Sequence, residues 1–361
     1  MRLRRLELWW RRIWIRMLVR LMRRPADAAP NWAAGPVRVL FLRHDRAGDM
    51  ILSTGVIHGI ARSHDTVRLD VLASPLNAGL LEGAGHVSDV IVFDRKKPLT
   101  YLPTALRLRR ARYDAVIDCM VTAPSVTTLL LILASGARYR VGIAGRGNDA
   151  AFNVTVPGNS TPDTHMVDRL AALARAFGAE LSPSAREPVL SISAAERAAA
   201  ERSWDAPPDA LRVLINISAG TPARHWPDER YTAVMRHVAE RRPGAVLRVI
   251  SSPAESERAR GIARAGGGSY VATPKLRDAV ALVATANFVF TPDTSIAHAA
   301  SAFKRPAVAM YLRGTRAEWG LYGTAGESVE HTERDLRGLE LAPVLRAVDM
   351  VLERMAVSRS G

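Results

Sequence analysis

The sequence predicts an α/β protein made of two doubly wound domains and preceded by a basic amphipathic helix. Three observations lead to this expectation. After residue 36, short β-branched-rich runs alternate with stretches of helical periodicity, the pattern of a parallel sheet with crossover helices. The alternation occurs twice, on either side of a segment rich in Pro, Ser and Ala. The length of 361 residues, 48% of them apolar and 24% charged, suits two globular domains better than one. Cys119 is the only cysteine, which excludes an intramolecular disulfide and a multi-cysteine zinc site and suits a reducing compartment.

Residues 1–24 contain nine arginines and one acid, Glu7, so a net +8 of the formal +15 resides there. At about 100° per residue, Leu3, Leu6, Trp10, Ile13, Trp14, Met17, Leu18 and Leu21 share one face, and Arg2, Arg5, Arg12, Arg16, Arg20 and Arg23 the other. Tryptophans among arginines suit the headgroup layer of an anionic bilayer. Docking on the protein's own body or on a partner is the competing use. Charges interrupt every apolar run, so neither a membrane span nor the apolar core of a secretory signal is expected, although Ala26-Asp27-Ala28 resembles a cleavage triplet. Residues 25–36 read as a linker. The body is only mildly basic and carries no recognised nucleic-acid module, so no nucleic-acid partner is expected.

The first Rossmann-like domain, 37–180, is expected to hold strands at 37–42, 67–72, 90–93, 115–119 and 139–143, with helices at 50–63, 75–81, 99–111 and 125–135. An interdomain linker over 181–210 includes a helix near 194–204. The second domain, 211–361, repeats the pattern, with strands at 213–217, 246–250, 270–272, 288–291 and 306–311 and helices at 227–241, 254–265, 276–286 and 295–302. Two such domains facing each other would line a central cleft with strand C-termini and helix N-termini, where ligands of open α/β sheets bind.

Three strand-to-helix loops concentrate polar chemistry. In 43–50, Gly48 permits a tight turn and Asp49 falls at or near a helix N-cap, where it either caps free N–H groups or accepts a proton from an attacking hydroxyl. In 290–298, Asp293 and Thr294 are good caps, the N–H groups of Thr294, Ser295 and Ile296 suit a phosphate, and His298 lies one helical turn on. A capped helix with a core histidine fits the same spacing. In 218–227, Gly220 and Thr221 suit a phosphate-proximal loop and Arg224 offers a forked cation, or is a solvated surface arginine. Neither a Walker A loop nor G-x-G-x-x-G occurs, and no histidine pair has metal-ligand spacing, so no metal is expected.

Taken in order, Gly48-Asp49, Arg224-His225-Trp226-Pro227 and Asp293-Thr294-Ser295-Ile296-Ala297-His298 resemble the motifs of glycosyltransferase family 9, the bacterial lipopolysaccharide heptosyltransferases. His165-Met166-Val167-Asp168-Arg169 resembles the family's pattern before the interdomain linker, and the likeness covers about 37–350. The resemblance implies a GT-B fold and an inverting, metal-independent transferase without a cofactor, using a nucleotide sugar, typically ADP-heptose, as co-substrate. By similarity, Asp49 becomes the base for the acceptor hydroxyl and Arg224 the cation at the departing diphosphate. Asp293 would hold sugar hydroxyls, Thr294 and Ser295 would offer N–H groups to phosphate with His298 beside them, and Glu255 and Leu276 would meet ribose and adenine. Two departures bear on the donor. Arg224 stands where the family often has lysine, and 216–220 lacks the family's His-Pro-Gly.

The expected protein is therefore a glycosyltransferase on the cytoplasmic, inner face of a bacterial inner membrane, bound peripherally and acting on a lipid-linked lipopolysaccharide core or related surface glycan. The alternatives are the same fold with another nucleotide sugar or acceptor, and a catalytically silent, membrane-associated nucleotide-binding protein.

Overall fold

The computed structural model of the chain describes residues 2–23, 27, 29–119, 125–145, 149–158, 161, 163–207 and 209–360. Pro25, Ala26 and Ala28 of the expected linker and triplet lie outside them, as do the side chains of residues 2–8, 11 and 12. The chain forms two compact units, Met1–Thr161 with Met166–Arg186, and Pro162–His165 with Glu187–Gly361.

The first unit runs α1 (Arg2–Met22), β1 (Val37–Arg43), α2 (Ala47–Ala61), β2 (Val67–Ala73), β3 (Asp89–Val92), α3 (Tyr101–Ala111), β4 (Ala115–Asp118), α4 (Val126–Ser135), β5 (Tyr139–Ile143), β6 (Val154–Val156) and α5 (Met166–Ala171). Its six parallel strands lie in the order β3-β2-β1-β4-β5-β6. β1 is central because Val39 to Leu42 form an apolar run buried on both faces, which only a doubly covered parallel strand provides. Gly136 closes α4 in the left-handed conformation, φ 64°, that a residue without Cβ adopts at least cost.

Two sequence expectations change here. No helix spans 75–81: the Asn77 side chain accepts from Ser74 N (2.8 Å) and donates to Arg43 O (3.1 Å), leaving only a 3₁₀ turn at Ala78–Leu81. The apolar residues of α1 are also not one face with one use. Leu18 and Met22 are buried and Ile15 and Val19 pack beside them on the core shared with α4, while Trp10, Trp14, Met17 and Leu21 remain exposed. Arg140, itself buried, donates from Nη2 to Met22 O (2.7 Å), placing a cation on the negative end of α1.

The second unit comprises α6 (Ala194–Trp204), β7 (Arg212–Asn216), α7 (Asp228–Arg241), β8 (Val246–Ile250), α8 (Ser256–Ala265), β9 (Ser269–Tyr270), α9 (Leu276–Thr285), β10 (Phe288–Pro292), α10 (Ser295–Ala302), β11 (Ala307–Tyr311), α11 (Arg316–Trp319), β12 (Gly326–Glu330) and α12 (Leu341–Ser360). Its parallel sheet has the order β12-β11-β10-β7-β8-β9, the same winding as the first. The stretch expected as linker carries α6, which opens on a Ser193/Glu196 capping box and packs on α9. Buried Trp204 donates to Thr285 Oγ1 (2.8 Å), and Arg277 pairs with Glu196, so this segment is part of the second unit's fold.

Candidate functional site

In a doubly wound sheet the chain leaves the first strand in one direction and returns on its other side, opening a crevice between the two central strands at their carboxyl ends. In the second unit that switch point lies between β7 and β10, so the loop after β7 and the start of α10 meet there. In the first unit it lies between β1 and β4, which places the 43–49 loop at the corresponding position.

At the second switch point Arg224 reaches Asp293 twice, with Nη2 2.7 Å from Oδ2 and Nη1 donating to the backbone oxygen at 2.9 Å. Asp293 is buried and fixed to the sheet by its N–H to Met310 O (2.8 Å). Asn216, the last residue of β7, donates to Thr291 Oγ1 (2.9 Å) and Thr294 Oγ1 (3.1 Å), stitching the two strand ends together. Thr294 is the N-cap of α10 and accepts from Ile296 N (3.3 Å). That cap takes one of the three N–H groups expected for a phosphate, and those of Thr294 and Ser295 are left at the helix start. His298 is buried one turn into α10, and burial, with His165 and Arg224 adding to it, pushes its pKa down to about 3, so the ring is neutral. A cation, a helix N-terminus and a neutral imidazole thus converge on one spot, an arrangement suited to an anionic ligand.

The remaining expected donor residues line the same sheet edge. A side chain at Gly220 would stand 3.8 Å from Arg224 Nη1, so this glycine allows close approach without being sterically required. Thr221 is exposed and its carbonyl accepts from Arg224 N (3.0 Å), which shapes the turn carrying the cation. Glu255, after β8, accepts from Ser252 Oγ (2.8 Å) and Arg258 Nη1 (3.2 Å) and lies 3.6 Å from His225 Nε2, next in sequence to Arg224. Leu276 is half-buried at the start of α9, beyond a loop tied to β8 by Thr273 Oγ1 donating to Ser251 O (3.2 Å). Arg224, Asp293, Thr294, Ser295 and His298 are therefore brought together, Glu255 joins them through His225, and Leu276 stands one strand further out.

At the first switch point Asp49 is buried in the first turn of α2. It is not the N-cap: the helix begins at Ala47 and Arg46 holds the cap position, so Asp49 is the third helical residue. The loop before it is organised by the fully buried Arg43, which donates from Nε to Ser53 Oγ (2.8 Å) and from Nη1 to Asp45 Oδ2 (3.1 Å), while Ser53 Oγ donates to Asp49 O (2.7 Å). Burial opposes the Arg43 charge, yet the anionic groups around it, Asp45, Asp49 and Asp118 among them, raise its pKa overall. Asp49 thus sits in the field of a permanent cation and of the α2 dipole.

Sequence reasoning missed Arg43, Asn216 and Arg258 as site residues. Arg43 and Asn216 share one signal, a polar residue directly after an apolar run, Val39–Leu42 for one and Val213–Ile215 for the other. Arg258 carried none, because its partners Asp228, Glu255 and Trp226 O come together only through folding.

The profile of glycosyltransferase family 9 (heptosyltransferase) matches residues 104–338. Among solved structures, a family 9 glycosyl transferase from Veillonella parvula DSM 2008 superposes with a TM-score of 0.78 at 16% identity, covering 91% of this chain and 100% of that one. The E. coli ADP-heptose lps heptosyltransferase II gives 0.70 at 20%, covering 88% and 99%. E. coli heptosyltransferase WaaC with ADP gives 0.69 at 19%, covering 87% and 100%. No curated protein sequence matches. The three likenesses share one architecture, the two-sheet GT-B fold, and the profile spans more than half of the chain: this protein belongs to glycosyltransferase family 9, the heptosyltransferases.

Proposed function

We propose that the protein transfers a heptose from ADP-heptose, with inversion at the anomeric carbon, to a lipid-linked lipopolysaccharide core or related surface glycan in a bacterium. The single observation that carries the donor half is Arg224, held at the β7/β10 switch point by Asp293 beside the N-terminus of α10. A forked cation and two helix N–H groups offset the charge that grows on a departing diphosphate, so the transfer runs without a metal ion. Asp293 orients donor hydroxyls, and Glu255 and Leu276 flank the ribose and adenine. Neutral His298 is able to donate to or accept from the same ligand without adding charge.

Asp49 takes the proton from the acceptor hydroxyl as that oxygen attacks the anomeric carbon and the bond to the diphosphate breaks. The hydroxyl becomes acidic enough to give up that proton only as it attacks. The ADP in the WaaC structure and the ADP-2-deoxy-2-fluoro heptose in another WaaC structure support the choice of nucleotide. We further propose peripheral attachment to the inner membrane through α1, supported by its exposed Trp10, Trp14 and Leu21 and exposed Arg16 and Arg20. No described helix is long and apolar enough to cross a membrane.

Calorimetric titration with ADP, UDP and GDP tests the donor assignment. ADP is expected to bind selectively and Arg224→Ala to weaken it at least tenfold. Preference for UDP or GDP overturns the assignment.

A further inference from the structure

The first unit exposes apolar residues on more than α1. Leu99, just before α3, is 91% exposed, and Leu102 and Leu106 on α3 are 69% and 46% exposed. At spacings of three and four residues they form one stripe on the outer face of α3. α4 packs against both α3 and α1, so the three helices make one layer whose outer surface carries this leucine stripe and the α1 tryptophans. Three exposed leucines at helical spacing mark an interaction surface rather than scattered surface leucines.

The charge around the stripe selects the partner. Residues 98–112 and 125–138 contain no acid; Arg107 pairs with Asp89, while Arg109, Arg110, Arg112 and Arg138 are exposed beside it. Exposed Arg16, Arg20 and Arg23 continue the same sign along α1. Leucines and tryptophans ringed by arginine match an acyl-chain boundary under anionic headgroups. The stripe is also joined to the site. The Phe93 ring meets His44 edge-on at 5.8 Å between centroids and Tyr101 at 4.9 Å, linking the Asp49 loop to the first residue of α3.

We propose that Leu99, Leu102 and Leu106 insert into an anionic bilayer as a second contact beside α1, holding the strand ends that carry Asp49 close to the lipid surface. This inference rests on the membrane attachment proposed above and extends it from one helix to a three-helix face. It gives the attachment a purpose in transfer, since a lipid-linked acceptor would then reach the Asp49 loop without leaving the headgroup layer.

Flotation of the full chain with vesicles of phosphatidylethanolamine and phosphatidylglycerol, against pure phosphatidylcholine, provides the test. Wild type is expected to float with the anionic vesicles only. Leu99→Gln/Leu102→Gln/Leu106→Gln should lower its partition about tenfold or more while keeping the wild-type melting profile, because burial of three leucines is lost. Unchanged flotation of this variant, with binding abolished instead by Trp10→Gln/Trp14→Gln at the exposed face of α1, overturns the second contact and leaves α1 anchoring standing. Failure of wild type to float overturns both. A change of oligomeric state in the variant without a change in flotation also overturns the proposal, because the stripe would then be a self-association surface. Should the triple variant misfold, Leu102→Trp decides: quenching of the added fluorescence by brominated anionic lipid supports insertion, and its absence contradicts it.

Discussion

At the residue scale, the site depends on buried charges that are satisfied locally. Arg224→Ala removes one ion-pair partner from the buried Asp293 carboxylate, and we expect a loss of about 2 kcal/mol in urea unfolding. Arg224→Lys should recover part of the stability but less of the nucleotide affinity, because an ammonium cannot reproduce the two-point guanidinium contact. His298 predicts a pH dependence. Its folded pKa lies far below the ordinary 6.5, at about 3, so as pH falls below 6.5 only the unfolded chain gains the proton. Stability is complete above that value and should fall by about 2 kcal/mol at pH 5. His86, which burial holds at about 4, adds to the wild-type slope, so the difference between wild type and His298→Gln isolates His298. Equal slopes in urea melts across pH 5–7 would refute this reading. The motif residues Asp49, Arg224, Asp293 and His298 were legible because they cluster in short strand-to-helix loops. Arg43 and Asn216 were not, because what makes them important is the neighbour each reaches across the fold, Asp45 and Ser53 for one and Thr291 and Thr294 for the other.

At the element scale, the ends of β7 and β10 form one device through Asn216. Asn216→Ala should cost about 1 kcal/mol by removing the donor shared by the buried Thr291 hydroxyl and the half-buried Thr294 hydroxyl, and should weaken ADP binding in the same titration. The docking of α1 is tested separately. Arg140→Met removes the cation from the Met22 carbonyl, and hydrogen exchange in α1 should accelerate while that of β1 stays unchanged. Internal strands were legible because burial on both faces leaves continuous apolar runs: Val39–Leu42 in β1 and Ala307–Tyr311 in β11 lie within the strands the pattern marks. Two of the edge strands, β6 and β12, escaped for the converse reason. β6 has three residues, and β12, with the sequence Gly-Glu-Ser-Val-Glu, is polar because only one side of it pairs. The split use of α1 was hidden because its apolar arc is wide enough to serve both a docked stripe and an exposed one, and helical periodicity alone does not say which is covered.

At the scale of the whole molecule, the chain is two units with separate cores, one around β1 and one around β7. If the nucleotide is held by the second, saturating ADP should slow hydrogen exchange in β7, β10 and α10 and leave β2 and β5 unprotected, since a ligand stabilises only the unit that binds it. The winding of both sheets was legible because a parallel strand pair requires a crossover element, and that rhythm is visible twice in the chain. The most direct test of the central claim is transfer of heptose from ADP-heptose to a lipid-linked core acceptor, comparing wild type with Asp49→Asn and measuring ADP affinity in the same preparations. The account predicts that Asp49→Asn binds ADP as wild type does and transfers about a hundredfold or more slowly. Transfer by Asp49→Asn at the wild-type rate, or wild-type enzyme that binds ADP-heptose without releasing ADP in the presence of acceptor, would contradict it.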